Sequence, residues 1–210
     1  MGQVWAIVVA AGAGTRFGGP KQFEPLLGRR VLDWSVAAAA ASCDGVVVVL
    51  PPDRLEPGTQ PGGTTRSASV RAGLAAVPDS AEIVVVHDAA RPLARPELFE
   101  RVVAAIRASA SASADAAIAV VPVADTIKRV RGDRVTETLD RAELVMVQTP
   151  QAFRADALRK AHAGEPEATD DAALIEAMGG TVVTVPGDRR NFKLTTPDDL
   201  LLASVLLAQR

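Results

Sequence analysis

The chain has 210 residues, 48% of them hydrophobic, enough for one well-buried domain and too few for two ordinary ones. A formal net charge of −2 with no long basic run argues against a nucleic-acid surface, so any anionic ligand must be held by local charges. Cys43 is the only cysteine, which excludes an intrachain disulfide or a thiolate zinc cluster and suits a reducing cytoplasm.

Val4 to Ala11 is an unbroken apolar run with β-branched Val4, Ile7, Val8 and Val9, the pattern of a strand buried on both faces. It is far too short to cross a membrane and no small-residue cleavage site follows, so neither insertion nor export is expected, and the mature protein is read as starting here. The run breaks into Gly12, Gly14, Gly18 and Gly19, interleaved with Arg16 and Lys21. Glycines let a backbone turn its N–H groups onto a ligand at close range, and two cations beside them point to a phosphate site. Two familiar loops do not fit. The phosphate-cradling loop of many NTPases needs Lys directly after its last glycine, where Pro20 stands. The dinucleotide fingerprint needs a third glycine where Phe17 stands, and the acid expected about twenty residues on is missing.

Val31 to Ser42 is alanine-rich and helical, and Val46 to Leu50 is a second buried strand, completing a βαβ unit. Pro51 to Thr65 reads as loop, and Arg66 to Val77 as helix. Ile83 to Val86 is a third strand that stops at His87 and Asp88, with Arg91 just beyond, so charge appears at the carboxyl end of a strand, where open parallel sheets bind ligands. Pro96 to Ala108 is a helix, SASASAD reads as its end plus a loop, and Ala116 to Val121 is a fourth strand. Val123 to Val147 breaks the rhythm with two polar, strand-prone runs around Gly132-Asp133, predicting a projecting β-hairpin. Taking Gly132-Asp133 as a two-residue turn pairs Thr126 with Leu139 and Ala124 with Arg141, which puts Thr126 and Arg141 on one face. Beyond Thr149-Pro150-Gln151 come helices over Arg154 to Ala163 and Asp170 to Met178, a strand over Thr181 to Val185 and a last helix from Pro197. Alternating βα units imply an α/β fold with a mostly parallel, twisted sheet and helices on both faces.

His87, after a buried strand, reads as an orienting or core histidine, and His162 as a surface one. Asp88 can hold metal or sugar hydroxyls, or form a structural pair with Arg91.

AAGAGTRFGGPKQF, GGTTRSAS, HDAARP, VADTIKR, TLDR, TPQAF, TDDA and NFKLTTPDDL occur in this order over essentially the whole chain. Together they resemble the 2-C-methyl-D-erythritol 4-phosphate cytidylyltransferase family. The resemblance implies a Rossmann-like nucleotidyltransferase fold over residues 1–210, with the hairpin, about 123–147, as a dimerisation arm. It implies transfer of a cytidylyl group from CTP to a sugar-alcohol phosphate, with pyrophosphate released and a divalent metal, normally Mg2+, ligated by Asp88. By the same resemblance Ala10, Ala11, Gly12, Gly14, Arg16, Lys21, Gly63, Ser69 and Asp88 bind CTP. Asp88, Arg91, Thr126, Arg141, Thr169 and Lys193 receive the sugar phosphate. Arg16, Lys21, Arg141 and Lys193 are the catalytic cations, and a homodimer shares its active sites. Methylerythritol phosphate is the first acceptor to consider and ribitol 5-phosphate the second; a non-catalytic nucleotide-binding module would have no use for Lys21 and Lys193. Outside their motifs Lys193 and Arg141 would read as solvated surface charges. The chain departs from the family at PPDRLEPGTQP, which leaves no room for the usual helix and strand and puts an edge strand in question, and at Thr64 and Arg190, where acids are often seen. No second enzyme is expected after the last helix.

Overall fold

The computed structural model describes residues 2–108 and 114–209. The chain runs β1 (Gln3–Val9), a small ribbon of β2 (Pro25–Leu26) and β3 (Arg29–Arg30), α1 (Val31–Ala40), β4 (Gly45–Leu50), β5 (Gln60–Pro61), α2 (Arg66–Ala76) and β6 (Ala81–Asp88). It continues through α3 (Pro96–Ala108), β7 (Ala116–Pro122), β8 (Lys128–Arg131), β9 (Arg134–Thr138), β10 (Val145–Arg154), α4 (Ala155–Ala161), α5 (Asp171–Ala177), β11 (Val182–Pro186) and α6 (Pro197–Ala208). Seven strands form one sheet in the order β11-β7-β10-β6-β1-β4-β5. Within it β10 alone runs antiparallel, against both β6 and β7.

The continuous apolar strands are buried on both faces, as their composition requires. In β1, Val4, Ala6 and Val8 enter one core with Leu32 of α1 and Phe99 and Val102 of α3. Ile7 enters the other with Val70 and Leu74 of α2, Leu158 of α4 and Ile175 of α5. Helix α2 lies so close to the sheet that a Cβ on Gly73 would stand 2.5 Å from Ile7 Cγ2. Helix α6 belongs to a third cluster, where Ala203 and Leu207 pack with Leu26, Val31, Leu93 and Leu194.

Two expectations change. The sequence reading assigns no strand to Thr149-Pro150-Gln151, whereas β10 runs straight through it, with a cis Thr149–Pro150 bond. Its polar side chains are buried because other segments complete them: Thr149 Oγ1 accepts from the Asp88 amide at 3.0 Å, and Gln151 Nε2 donates to Asp170 at 3.0 Å. At PPDRLEPGTQP the edge strand survives as two residues, with Val49 beside Gln60 and Leu50 beside Pro61. The expectation for SASASAD falls mostly on residues 109–113, outside those described.

The hairpin projects as expected, and every residue of β8 and β9 is exposed. Its turn is at Gly132-Asp133, with Arg131 opposite Arg134 and Val130 opposite Val135. The expected register holds only that far. A bulge then places Arg129 opposite Glu137, and the Leu139 amide donates to Ile127 rather than pairing with Thr126. One extra residue on the β9 side shifts every later pair by one position. Arg141 still reaches Ala124, through a 2.5 Å hydrogen bond from its guanidinium to the carbonyl oxygen.

Candidate active site

The carboxyl ends of β1 and β6 open into a cleft of about 360 Å³. It is lined by Ala10 to Arg16, Lys21 and Gln22 on one side, Gly63 to Arg66 and Ser69 on another, and Asp88 and Lys193 across from them. The glycine-rich loop needs its glycines. Gly14 has φ +67°, and a Cβ there would sit 1.8 Å from the Gly19 carbonyl oxygen. The loop closes on itself because the amides of Phe17, Gly18 and Gly19 all donate to the Gly14 carbonyl. Gln22 then ties it to the strand end, its Nε2 donating to Ala10 O at 2.7 Å and Gly12 O at 3.0 Å. A Cβ on Gly63 would lie 2.4 Å from Ala68 Cβ, so glycine there lets the loop pack on the start of α2. Ser69 Oγ accepts from the Gly63 amide at 3.2 Å and fixes the same wall.

Asp88 is the acid of the cleft. Its Oδ1 accepts from Arg66 Nε at 3.2 Å and its Oδ2 from Lys193 Nζ at 2.6 Å. Burial works against its charge, but Arg66 and Lys193 outweigh burial and hold the carboxyl well below the usual range. Lys21 is pulled the other way: burial first, then the like charges of Lys193 and Arg16, lower its pKa. Ten residues expected at the nucleotide and acceptor therefore meet here: Ala10, Ala11, Gly12, Gly14, Arg16, Lys21, Gly63, Ser69, Asp88 and Lys193.

Arg91, Thr126, Arg141 and Thr169 do not line this cleft. Asp88 pairs with Arg66 and Lys193, so the structural pair with Arg91 that the sequence also allows does not form. Arg91 instead donates to Asn191 O at 2.7 Å and so braces the loop that carries Lys193. Thr126 and Arg141 sit exposed at the base of the arm, and Thr169 is exposed beside the start of α5. His162 is not on the surface: it is 5% exposed, and its Nε2 lies 3.0 Å from Asp171 Oδ1. Arg66 and Gln22 belong to the cleft although sequence reasoning gave them no role; both stand inside the motifs GGTTRSAS and GGPKQF, which was the available signal.

His87 is fully buried against the Phe99 ring, with Nδ1 3.1 Å from Thr149 Oγ1, and desolvation pushes its pKa down to about 3. The folded state keeps it neutral while the unfolded chain takes up a proton below about pH 6.5. Stability is therefore expected to fall as pH drops from there towards 3, by at most about 1.4 kcal/mol per pH unit. Imidazole NMR checks this directly: the His87 resonances should stay flat between about pH 8 and 5, and an inflection near the ordinary value of about 6.5 would contradict it.

A triphosphate laid along the strand ends would have its phosphates over the glycine loop and its charge met by Arg16, Lys21 and Lys193. That defines the class: an α/β nucleotidyltransferase. The family model described as 2-C-methyl-D-erythritol 4-phosphate cytidylyltransferase (IspD) matches residues 4–209. The enzyme of that name from Nocardia farcinica is 45% identical over all of this chain and 96% of its own length. A bifunctional enzyme IspD/IspF of Dinoroseobacter shibae is 44% identical over 99% of this chain, which spans 54% of that relative's length. The crystal structure of 2-C-methyl-D-erythritol 4-phosphate cytidylyltransferase from Thermus thermophilus superposes with a TM-score of 0.81 at 36% identity, covering 96% of this chain and 98% of that one. The chain belongs to the 2-C-methyl-D-erythritol 4-phosphate cytidylyltransferase family.

Proposed function

We propose that the chain transfers the cytidylyl group of CTP to 2-C-methyl-D-erythritol 4-phosphate, giving 4-diphosphocytidyl-2-C-methyl-D-erythritol and pyrophosphate in the non-mevalonate isoprenoid pathway. The observation that carries this is the grouping of Arg16, Lys21 and Lys193 with Asp88 beside a glycine-rich loop. The acceptor is a phosphate monoester with a second pKa of about 6, so at neutral pH it is mostly dianionic and attacks the α-phosphorus without a general base. The bond from that phosphorus to the bridging oxygen breaks, and pyrophosphate leaves. The barrier is repulsion between the dianion and the triphosphate, which the fixed cations offset. Neutral His87, buried behind Asp88, takes no part.

Among the described residues no group of three His, Cys, Asp or Glu side chains could cage a metal. Mg2+ is commonly held by one or two carboxylates plus substrate phosphates, and Asp88 is the carboxylate in reach of the cleft. Asp88 would hold such an ion together with the CTP phosphates, whose charge the ion would neutralise. Because both Asp88 oxygens are engaged by Arg66 and Lys193, ligand binding would draw Lys193 onto phosphate and free Oδ2 for the ion or a sugar hydroxyl.

The exposed arm supports a homodimer. Val130 and Val135 are each 60% exposed, and Val145, Met146 and Val147 continue the apolar surface at its base. A two-stranded ribbon is marginal alone in water and gains by docking on a second copy, where Thr126 and Arg141 would complete that copy's acceptor pocket. A cytoplasmic site of action fits the single cysteine. No helix of the described residues is long and apolar enough to cross a membrane.

Pyrophosphate release from CTP, measured with methylerythritol phosphate and with ribitol 5-phosphate in turn, tests the assignment. Release is expected with the first. Release with the second alone would reassign the acceptor, and release with neither, alongside measurable CTP binding, would leave a nucleotide-binding module.

A further inference from the structure

From the cleft wall inward, charged and polar groups alternate in one connected row: Lys193, Asp88 and Arg66, which line the cleft, then Asp171 and His162. Arg66, the first residue of α2, gives its Nε to Asp88 Oδ1 at 3.2 Å and its Nη1 to Asp171 Oδ2 at 2.8 Å. Asp171 is fully buried at the start of α5, and its other oxygen, Oδ1, meets His162 Nε2 at 3.0 Å. Since a carboxylate only accepts, and His162 Nδ1 is buried without a partner among the described residues, the ring proton belongs on Nε2 and donates to Asp171. Arg66 Nη2 is likewise buried and without a partner among the described residues.

An isolated arginine and carboxylate favour two parallel hydrogen bonds. Arg66 does not make that pair with Asp88: its Nε serves Asp88 Oδ1, its Nη1 serves Asp171 Oδ2, and Nη2 stands between the two carboxylates without a partner among the described residues. With only Oδ1 on Arg66, Asp88 keeps Oδ2 for Lys193 and, on our reading, for the incoming ligand. Removal of the His162 donor would leave Asp171 Oδ1 buried and unsatisfied, with the spare Arg66 Nη2 as the remaining donor on a side chain Asp171 already binds. Asp171 would then take both arms and draw the guanidinium off Asp88.

We propose that Asp171 and His162 are positioning residues for cytidylyl transfer, acting through Arg66 to fix the Asp88 carboxylate. The kinetic part of this proposal rests on the cytidylyltransferase assignment. Its geometry does not.

Two measurements test it. In steady-state kinetics, His162→Ala is expected to lower kcat/KM for the acceptor about tenfold, as small misplacements of a reacting group do. His162→Gln, which keeps an N–H donor, is expected to stay within about twofold of wild type. A folded His162→Ala variant with unchanged kcat/KM, or a Gln variant as impaired as the Ala one, overturns the proposal. The second measurement needs neither turnover nor a variant: nitrogen NMR of the wild-type protein should show the His162 proton on Nε2 and slow exchange of the Arg66 Nε proton. A proton on Nδ1 with Nε2 bare, or fast exchange at Arg66, overturns the relay even if His162→Ala fails to fold. A wild-type protein that binds CTP yet turns over neither acceptor would instead overturn the functional assignment, with the NMR result still deciding the relay.

Discussion

Replacing Lys21 or Arg16 by Ala is expected to lower kcat by roughly 10²–10³-fold while changing CTP affinity much less, since contacts to developing charge are worth several kcal/mol. The free site is already under strain of like charge. Lys21 is held in the short turn Lys21–Phe23, 9% exposed, with Gln22 pinning the loop behind it and the charges of Lys193 and Arg16 near enough to depress its pKa. Triphosphate relieves this repulsion in the ground state. More is relieved as charge builds on the departing pyrophosphate, so turnover should suffer more than binding. Steady-state kinetics with CTP titration calorimetry separate the two, and an effect confined to KM for CTP would reduce both residues to nucleotide holders.

Mixing two dead chains is expected to restore activity. If the arm completes the neighbouring subunit's pocket, an Arg141→Ala chain and a Lys193→Ala chain are each inactive as homodimers, because every pocket lacks one of the two cations. Co-expressed and isolated as the mixed dimer, they leave one pocket with Lys193 from its own chain and Arg141 from the other, and about half of wild-type activity returns. The exposure of Arg141 and its absence from the lining of its own chain's cleft motivate the experiment. A mixed dimer as inactive as its parents would show that each chain builds its site alone.

The sequence makes the framework legible where burial is two-sided. Val4 to Ala11, Val46 to Leu50 and Ile83 to Val86 can only be interior strands, and Gly12, Gly14, Arg16, Lys21, Asp88 and Lys193 do converge on one cleft. What escaped was set by contacts distant along the chain. Strand β10 carries Gln148, Thr149 and Gln151, polar residues that look like a connection until Asp188, His87 and Asp170 are brought beside them. Arg66 looks like any basic residue near the start of a helix, and the reason for it, Asp88 on one side and Asp171 on the other, lies 22 and 105 positions away. His162 is hidden for the same reason. The hairpin register slipped because a bulge depends on the twist of the paired ribbon, which residue counting from the turn does not capture.

The position of β10 between β6 and β7 also orders the birth of the protein on the ribosome. Strands β1, β4 and β6 are neighbours made from the first 88 residues and can assemble as soon as they emerge. Strand β7 emerges next but has no place beside β6, because the strand that joins them is made only at residues 145–154. Until then the nascent sheet presents β6 as an open, apolar edge, the kind of surface on which chains stick to one another and chaperones act. The same delay leaves Asp88 without the Thr149 hydroxyl that secures its backbone. The catalytic end of the sheet is therefore among the last parts to set, and slow translation through the arm would prolong the interval in which the half-made chain is vulnerable.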